Sequence, residues 1–285
     1  MTQPVDARAN YCYRHPDRQS YVLCQRCGRT ICGECQTPAA VGFICPECMA
    51  QQRATHPRTK PAWLTRLTGS GAPVVTYAII AVCVVVFIVQ TLGSLLGLPV
   101  NSALVYAGAY SYPGGTFGVG FEPWRMFTSV FAHANIIHIA LNMYTLFVFG
   151  MALEPLLGRA RYLALFLISG FAGSLGVLLL ASPVQPVLGA SGAIFGLFGA
   201  FFIIQRRLGG SATQMLVLLA INLGIGFLPG FNIAWQAHVG GLIGGLLVGL
   251  IYVETRQPQR RRWQLPLLVL LCVIFVAISL IHFFV

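Results

Sequence analysis

Seven apolar stretches follow one another from about residue 74 to about residue 284, and almost every charge of that region falls between them. They cover about 74–97, 127–153, 161–181, 190–205, 212–228, 236–253 and 264–284. A helical crossing of a bilayer takes roughly 20 residues, so each is near that length, the fourth being short. In hydrocarbon a backbone must satisfy its own polar groups, which leaves helices or closed barrels. Stretches this long and this continuous predict helices. Composition agrees: the chain is 56% hydrophobic and 9% charged, where soluble domains carry about a quarter charged residues. The expected fold is an all-α polytopic membrane protein.

The basic residues predict an orientation. Arg66 precedes the first stretch, Arg159 and Arg161 join the second to the third, and Arg206 and Arg207 join the fourth to the fifth. Arg256, Arg260, Arg261 and Arg262 join the sixth to the seventh. If every stretch spans, all four groups lie on one side, which the positive-inside rule assigns to the cytosol. The N-terminus is then cytosolic and the C-terminus exocytosolic, in a multi-pass protein expected in the plasma membrane. The net charge is +11, but the basic residues fall in short clusters at the ends of apolar stretches, where the positive-inside rule wants them, so nucleic acid is not an expected partner.

Residues 1–50 read as a separate unit. Met1–Asn10 is polar and lacks the apolar run of a signal peptide. Four metal-type pairs follow: Cys12-x2-His15, Cys24-x2-Cys27, Cys32-x2-Cys35 and Cys45-x2-Cys48. Eight ligands in four knuckles suffice for two tetrahedral zinc sites. An interleaved pairing is expected, with Cys12, His15, Cys32 and Cys35 on one ion and Cys24, Cys27, Cys45 and Cys48 on the other. So small a unit buries little core, and metal would supply its folding free energy. The alternative is a disulfide scaffold. A reducing cytosol disfavours it, and its seven cysteines are an odd number that His15 completes to eight. The pattern resembles B-box-type zinc fingers, which implies a regulatory or protein-binding module with a protein partner. Residues 51–72 read as a basic Pro/Gly linker. Its Arg58, Lys60, Arg66 and Trp63 suit an anionic lipid surface.

The acidic residues constrain the chemistry. No Asp follows Asp17, the only Lys is Lys60, and after Arg66 the only acids are Glu122, Glu154 and Glu254. Paired aspartates, a Ser–Lys dyad and a Ser–His–Asp triad are therefore excluded from the apolar part, and no HExxH is present for a zinc protease. Serine with histidine alone remains for nucleophilic catalysis.

Gly189-Ala190-Ser191-Gly192 places a serine where an apolar helix restarts after Ser182-Pro183-Val184-Gln185-Pro186. Unpaired N–H groups and the positive dipole end at such a point can stabilise an oxyanion. The glycine spacing serves helix packing equally well. His133, His138 and His238 lie in otherwise apolar stretches, where ionisable groups are costly and usually functional. His138 and Asn142 share one helix face. They read equally as donors to an oxyanion or as an interhelical hydrogen-bond pair. Gly241 and Gly245 share the face of His238, so a partner helix can come close. The stretch with Gly192, Gly196 and Gly199 is the natural partner. Ser191 and His238 both fall near the outer, N-terminal ends of their helices, which would bring hydroxyl and imidazole within reach. No carboxylate is available to orient the base.

The ordered set Trp124-Arg125, His138-x3-Asn142, Gly189-Ala190-Ser191-Gly192 and Ala237-His238-x2-Gly241 resembles a rhomboid intramembrane serine protease over about residues 74–255. The resemblance implies a six-helix core over 73–255, to which 256–285 adds a basic loop and a seventh helix. It implies Ser191 as nucleophile and His238 as general base, with His138, Asn142 and the Ser191 N–H forming the oxyanion hole. Glu122, Trp124 and Arg125 would shape the first outer loop (about 98–126), and His133 would stand near the site. The implied reaction is hydrolysis of peptide bonds in or next to transmembrane helices of other proteins within the lipid bilayer. Substrate would enter past 212–228, and no cofactor would be needed. Phe195 stands where some members place a Tyr stacked on the base, and Glu154 reads as structural. Two other classes compete: a non-proteolytic rhomboid-like binding protein, against which both dyad residues argue, and a channel or transporter, which the absence of Asp, Glu or Lys within the apolar stretches disfavours.

Overall fold

Membrane helices gain little from burying apolar surface against each other, so the size of their side chains decides how closely they pack. In the computed structural model, which describes residues 10–39, 41–55, 72–115, 117–209, 213–225 and 233–281, the chain divides into two units, Met1–Arg66 and Leu67–Val285. The N-terminal unit is a short antiparallel pair, β1 (Thr37–Pro38) and β2 (Phe43–Ile44), followed by α1 (Pro46–Thr55). Its core is Ile31 and Ile44 among six buried cysteines. Helix α1 continues to Thr55, past residue 50, where the linker was expected to begin. Residues 56–71, with Arg58, Lys60, Trp63 and Arg66, lie outside the described residues.

The second unit is helical. Its elements are α2 (Val74–Leu95), α3 (Val100–Leu104), α4 (Arg125–Thr128), α5 (Ile136–Leu157) and α6 (Arg159–Leu180), then α7 (Ser191–Arg207), α8 (Thr213–Ile225), α9 (Trp235–Glu254) and α10 (Gln264–Ser279). Helices α2, α5, α6, α9 and α10 with its preceding 3-10 turn are long and apolar enough to cross a membrane. Helix α7 has 17 residues and the described part of α8 has 13. Residues 226–228 and 282–284 of the expected stretches lie outside the described residues.

One expected stretch is corrected. Residues 127–153 do not form one continuous segment. Met126–Phe131 belongs to α4 and a 3-10 turn, and the spanning helix begins at Ile136. The break is made by Asn135, whose extended backbone (φ −160°) lets its side chain accept the His138 N–H at 2.9 Å as an N-cap. Apolar residues flank Ala132-His133-Ala134-Asn135 on both sides, so the stretch reads as continuous despite this short polar interruption.

Helix α9 packs mainly against α7 and α6. A Cβ at Gly241 would fall on the backbone of Gly192, and one at Gly245 on that of Gly196. Only glycine permits that contact, and it puts the first turns of α7 and α9 side by side. At the other end of the bundle Glu154 of α5 caps α2. Its carboxylate accepts the N–H groups of Val75 and Thr76, each at 2.8 Å, and the Thr76 hydroxyl at 2.7 Å. Helix α10 lies against α6 and α9, tied by the bond from Arg161 Nε to Gln264 Oε1 at 2.7 Å.

Candidate active site

The site begins with the turn into α7. Tyr106 and Val187 exchange backbone hydrogen bonds at 3.0 and 2.7 Å, and Gly189 N–H donates to Ser129 O at 2.9 Å. The first loop and the segment before Ser191 are thereby fastened together. The carbonyl one turn before Ser191, that of Val187, already accepts Tyr106 N–H. Ser191 is the first residue of α7, so its N–H stands at the helix start, where the dipole is positive.

His238, buried in the first turn of α9, places Nε2 3.0 Å from Ser191 Oγ. Its other nitrogen, Nδ1, is buried without a partner among the described residues. The imidazole stacks on Phe195, with centroids 4.1 Å apart and planes 13° from parallel. The glycine contact between α7 and α9 therefore sets the depth of both side chains, and Phe195 sets the plane of the ring.

His138 comes from α5. Gly189 has φ +122°, and a Cβ built there would lie 2.8 Å from His138 Cε1 and Nε2. The imidazole edge thus rests on the backbone two residues before Ser191. Asn142, buried one turn further along α5, donates through Nδ2 to His138 O at 2.8 Å. His133 is buried and meets His138 edge to face, with centroids 5.2 Å apart. Its backbone N–H donates to Gln90 Oε1 at 3.0 Å, and its ring Nε2 has no partner among the described residues. The structure thus brings Ser191, His238, His138, Asn142 and His133 to one end of the bundle.

Glu122, Trp124 and Arg125 sit in the first loop. Arg125 Nε donates to Glu122 Oε2 at 2.6 Å, its Nη1 reaches the carbonyls of Ser102 and Val105, and its guanidinium lies over the Tyr110 ring at 4.1 Å. Trp124 is exposed. This group holds the loop together. Gln90 escaped the sequence reading. A lone glutamine in an apolar helix was the available signal, and its partner lies 43 residues away.

In the N-terminal unit two clusters could hold metal ions: Cys12, His15, Cys32 and Cys35, and Cys24, Cys27, Cys45 and Cys48. Within each, the ligand atoms all lie within 4.8 Å of one another. His15 Nδ1 is 3.8, 3.3 and 3.5 Å from the sulfurs of Cys12, Cys32 and Cys35, and the sulfurs of Cys27 and Cys45 are 3.8 Å apart. Tetrahedral zinc with Zn–S near 2.3 Å and Zn–N near 2.0 Å would set such edges at about 3.5–3.8 Å, so the donors fit. Burial raises the Cys12 and Cys24 thiols, yet backbone N–H groups outweigh it and hold both at about 6. The Cys45 thiol beside it and burial push Cys48 up to about 12. Thiols this close need a cation before all can ionise.

Residues 120–255 match the rhomboid domain family. The chain is 39% identical over 151 residues to RHOMBOID-like protein 6, mitochondrial, of Arabidopsis thaliana, covering 49% of this chain and 46% of that protein. It is 37% identical over 142 residues to the putative rhomboid protease YdcA of Bacillus subtilis (strain 168), covering 48% of this chain and 70% of that one. With rhomboid protease GluP of the same organism it shares 35% identity over 184 residues, 62% of this chain and 34% of the relative. The matched region thus spans less than half of the first and third of these relatives.

Proposed function

This chain belongs to the rhomboid family of multi-pass membrane proteins, and we propose that it is an intramembrane serine protease that hydrolyses peptide bonds in or next to transmembrane helices of other membrane proteins. The observation that carries the reading is the 3.0 Å contact between His238 Nε2 and Ser191 Oγ. It joins two helices whose small residues permit no other depth.

In the proposed reaction His238 Nε2 takes the Ser191 proton as Oγ attacks the scissile carbonyl carbon. The carbonyl oxygen becomes an oxyanion beside the Ser191 N–H, His138 and Asn142. The Asn142 amide has two N–H groups, and its bond to His138 O occupies one, leaving the other for the oxyanion. When the tetrahedral adduct collapses, the C–N bond breaks and the leaving amine takes the proton from Nε2. Water then attacks the acyl-serine, giving its proton to Nε2, and Oγ leaves with a proton returned from the imidazole. With no carboxylate on His238 Nδ1, Phe195 stacking orients the base. His133 braces His138. Glu122, Trp124 and Arg125 maintain the first loop, with Trp124 turned outward toward lipid. Substrate would enter past α8, and the plasma membrane, with a cytosolic N-terminus, is the expected setting.

The N-terminal unit is read as a B-box-like module holding two zinc ions, one on Cys12, His15, Cys32 and Cys35 and the other on Cys24, Cys27, Cys45 and Cys48. The metal would fix the fold of a unit with little core, and a protein partner is its expected ligand. Zinc takes no part in the peptide hydrolysis. The proposed division of the chain is 1–50, 51–72, 73–255 and 256–285, with the first boundary moved to Thr55, where α1 ends.

The test is cleavage of a type I transmembrane substrate in liposomes, with a fluorophosphonate label reporting on the serine. Wild type should cleave and label, and Ser191→Ala should do neither. His238→Ala should lose at least a hundredfold in both. A folded wild type that neither cleaves nor labels, even after removal of residues 1–60, would point to a rhomboid-like binding protein.

A further inference from the structure

The end of the bundle opposite Ser191 carries a second site. Helix α7 runs from Ser191 to Arg207, so at ~1.5 Å per residue its two ends stand about 24 Å apart. At the arginine end, α5, α6, α7, α9 and α10 enclose a cavity of about 280 Å³. Four arginines line it: Arg161, Arg207, Arg256 and Arg261. Among the described residues the acid that pairs with this cluster is Glu254, 3.5 Å from Arg207 and 3.8 Å from Arg260. Among the described residues no carboxylate lies within ion-pair distance of Arg161, Arg256 or Arg261. Tyr252 and Gln264 complete the polar lining, and the rest is leucine, isoleucine and valine.

Arg161 is itself held in place. Its Nε donates to Gln264 at 2.7 Å, Gln264 Nε2 donates to Thr255 Oγ1 at 2.8 Å, and Tyr252 donates to the Arg161 carbonyl at 2.8 Å. Its two Nη groups remain for a ligand. One turn further along the same two helices an apolar groove of about 450 Å³ begins, walled by Ala164 and Ile168 of α6 and by Leu268, Cys272 and Val276 of α10. Spacings of three and four residues keep Arg161, Ala164 and Ile168 on one face of α6, and Gln264, Leu268 and Cys272 on one face of α10.

We propose that this end of the bundle binds an anionic phospholipid, its phosphate among Arg161, Arg256 and Arg261 and an acyl chain along the α6–α10 groove. The charge surplus selects an anion and the adjoining apolar groove selects one that carries a chain. Both halves of the site need α10, so lipid capture gives the seventh helix a role that the six-helix core does not supply. The inference does not rest on the protease reading.

The test is native mass spectrometry of the full chain released from nanodiscs of phosphatidylcholine containing phosphatidylglycerol. Phosphatidylglycerol should be retained over phosphatidylcholine. Arg256→Gln and Arg261→Gln, at exposed side chains with no protein carboxylate to lose, should each lower that preference about fivefold. Ala164→Phe, which fills the groove, should reduce retention of both lipids, and Arg206→Gln, outside the cavity, should change neither. Equal retention of the two lipids in wild type, or an unchanged preference in the Arg256 and Arg261 variants, overturns the proposal. Displacement of the lipid by millimolar inorganic phosphate would also overturn it, by identifying a free-anion site. Thermal unfolding of each variant separates lost binding from lost fold.

Discussion

The rings of His238 and Phe195 lie 4.1 Å apart and within 13° of parallel, so the imidazole that faces Ser191 is oriented by a hydrocarbon ring. An aromatic stack of this kind contributes about 0.5–1.5 kcal/mol. Phe195→Ala should therefore lower kcat about three- to tenfold while leaving KM nearly unchanged, and Phe195→Tyr should restore it. Steady-state cleavage assays with fluorophosphonate labelling rates check this. A rise in KM alone would mean that the ring contacts substrate instead.

Gly189 couples α5 to the serine. At φ +122° an alanine is strained, and its Cβ would stand 2.8 Å from the His138 ring. Gly189→Ala should displace His138 and cost about a hundredfold in kcat/KM, the scale of a displacement near 1 Å. Because the effect passes through His138, adding His138→Ala to that variant should cost far less than it does in wild type. Additive losses in the double-mutant cycle would disprove the coupling.

Glu154 tests the separation of stability from chemistry. It accepts three hydrogen bonds at the start of α2 and lies 12 residues beyond Asn142 on α5, about 18 Å away. Glu154→Ala leaves the buried Thr76 N–H and the partly buried Val75 N–H without their partner and should destabilise the bundle by roughly 2–4 kcal/mol. Thermal unfolding in detergent should show a lower midpoint. The folded fraction should still label at Ser191 at the wild-type rate, and a slowed label would tie the cap to the site.

Much of the site was legible because it depends on local patterns. Charge clusters between apolar stretches put Ser191 and His238 at the same ends of their helices, and the glycines on the His238 face named α7 as its partner. The break at Ala132–Asn135 carries its signals in His133 and the N-cap Asn135, but the apolar residues on both sides run together into one stretch of spanning length. The Gln90–His133 bond and the seat of His138 on Gly189 join elements far apart in the chain, and no periodicity announces such a contact. The arginine cavity was read only as an orientation signal. Its lining comes from five helices, and its shape exists only once α10 packs on α6.

The N-terminal unit yields the last prediction. Its core consists of Ile31, Ile44 and cysteines, too little apolar surface to fold a chain of this size without help. Elemental analysis of the purified full chain should find two zinc ions, and Cys32→Ser or Cys45→Ser should each remove one. His15→Cys keeps a four-ligand set and should retain both ions, whereas His15→Ala should weaken the first site. A chelator under reducing conditions should open residues 12–48 to limited proteolysis while the helical unit stays resistant, since among the described residues both candidate metal clusters lie in the N-terminal unit. Resistance of the N-terminal unit after chelation, or fewer than one zinc per wild-type chain, would mean that the eight ligands are held together by something other than the ion their spacing fits.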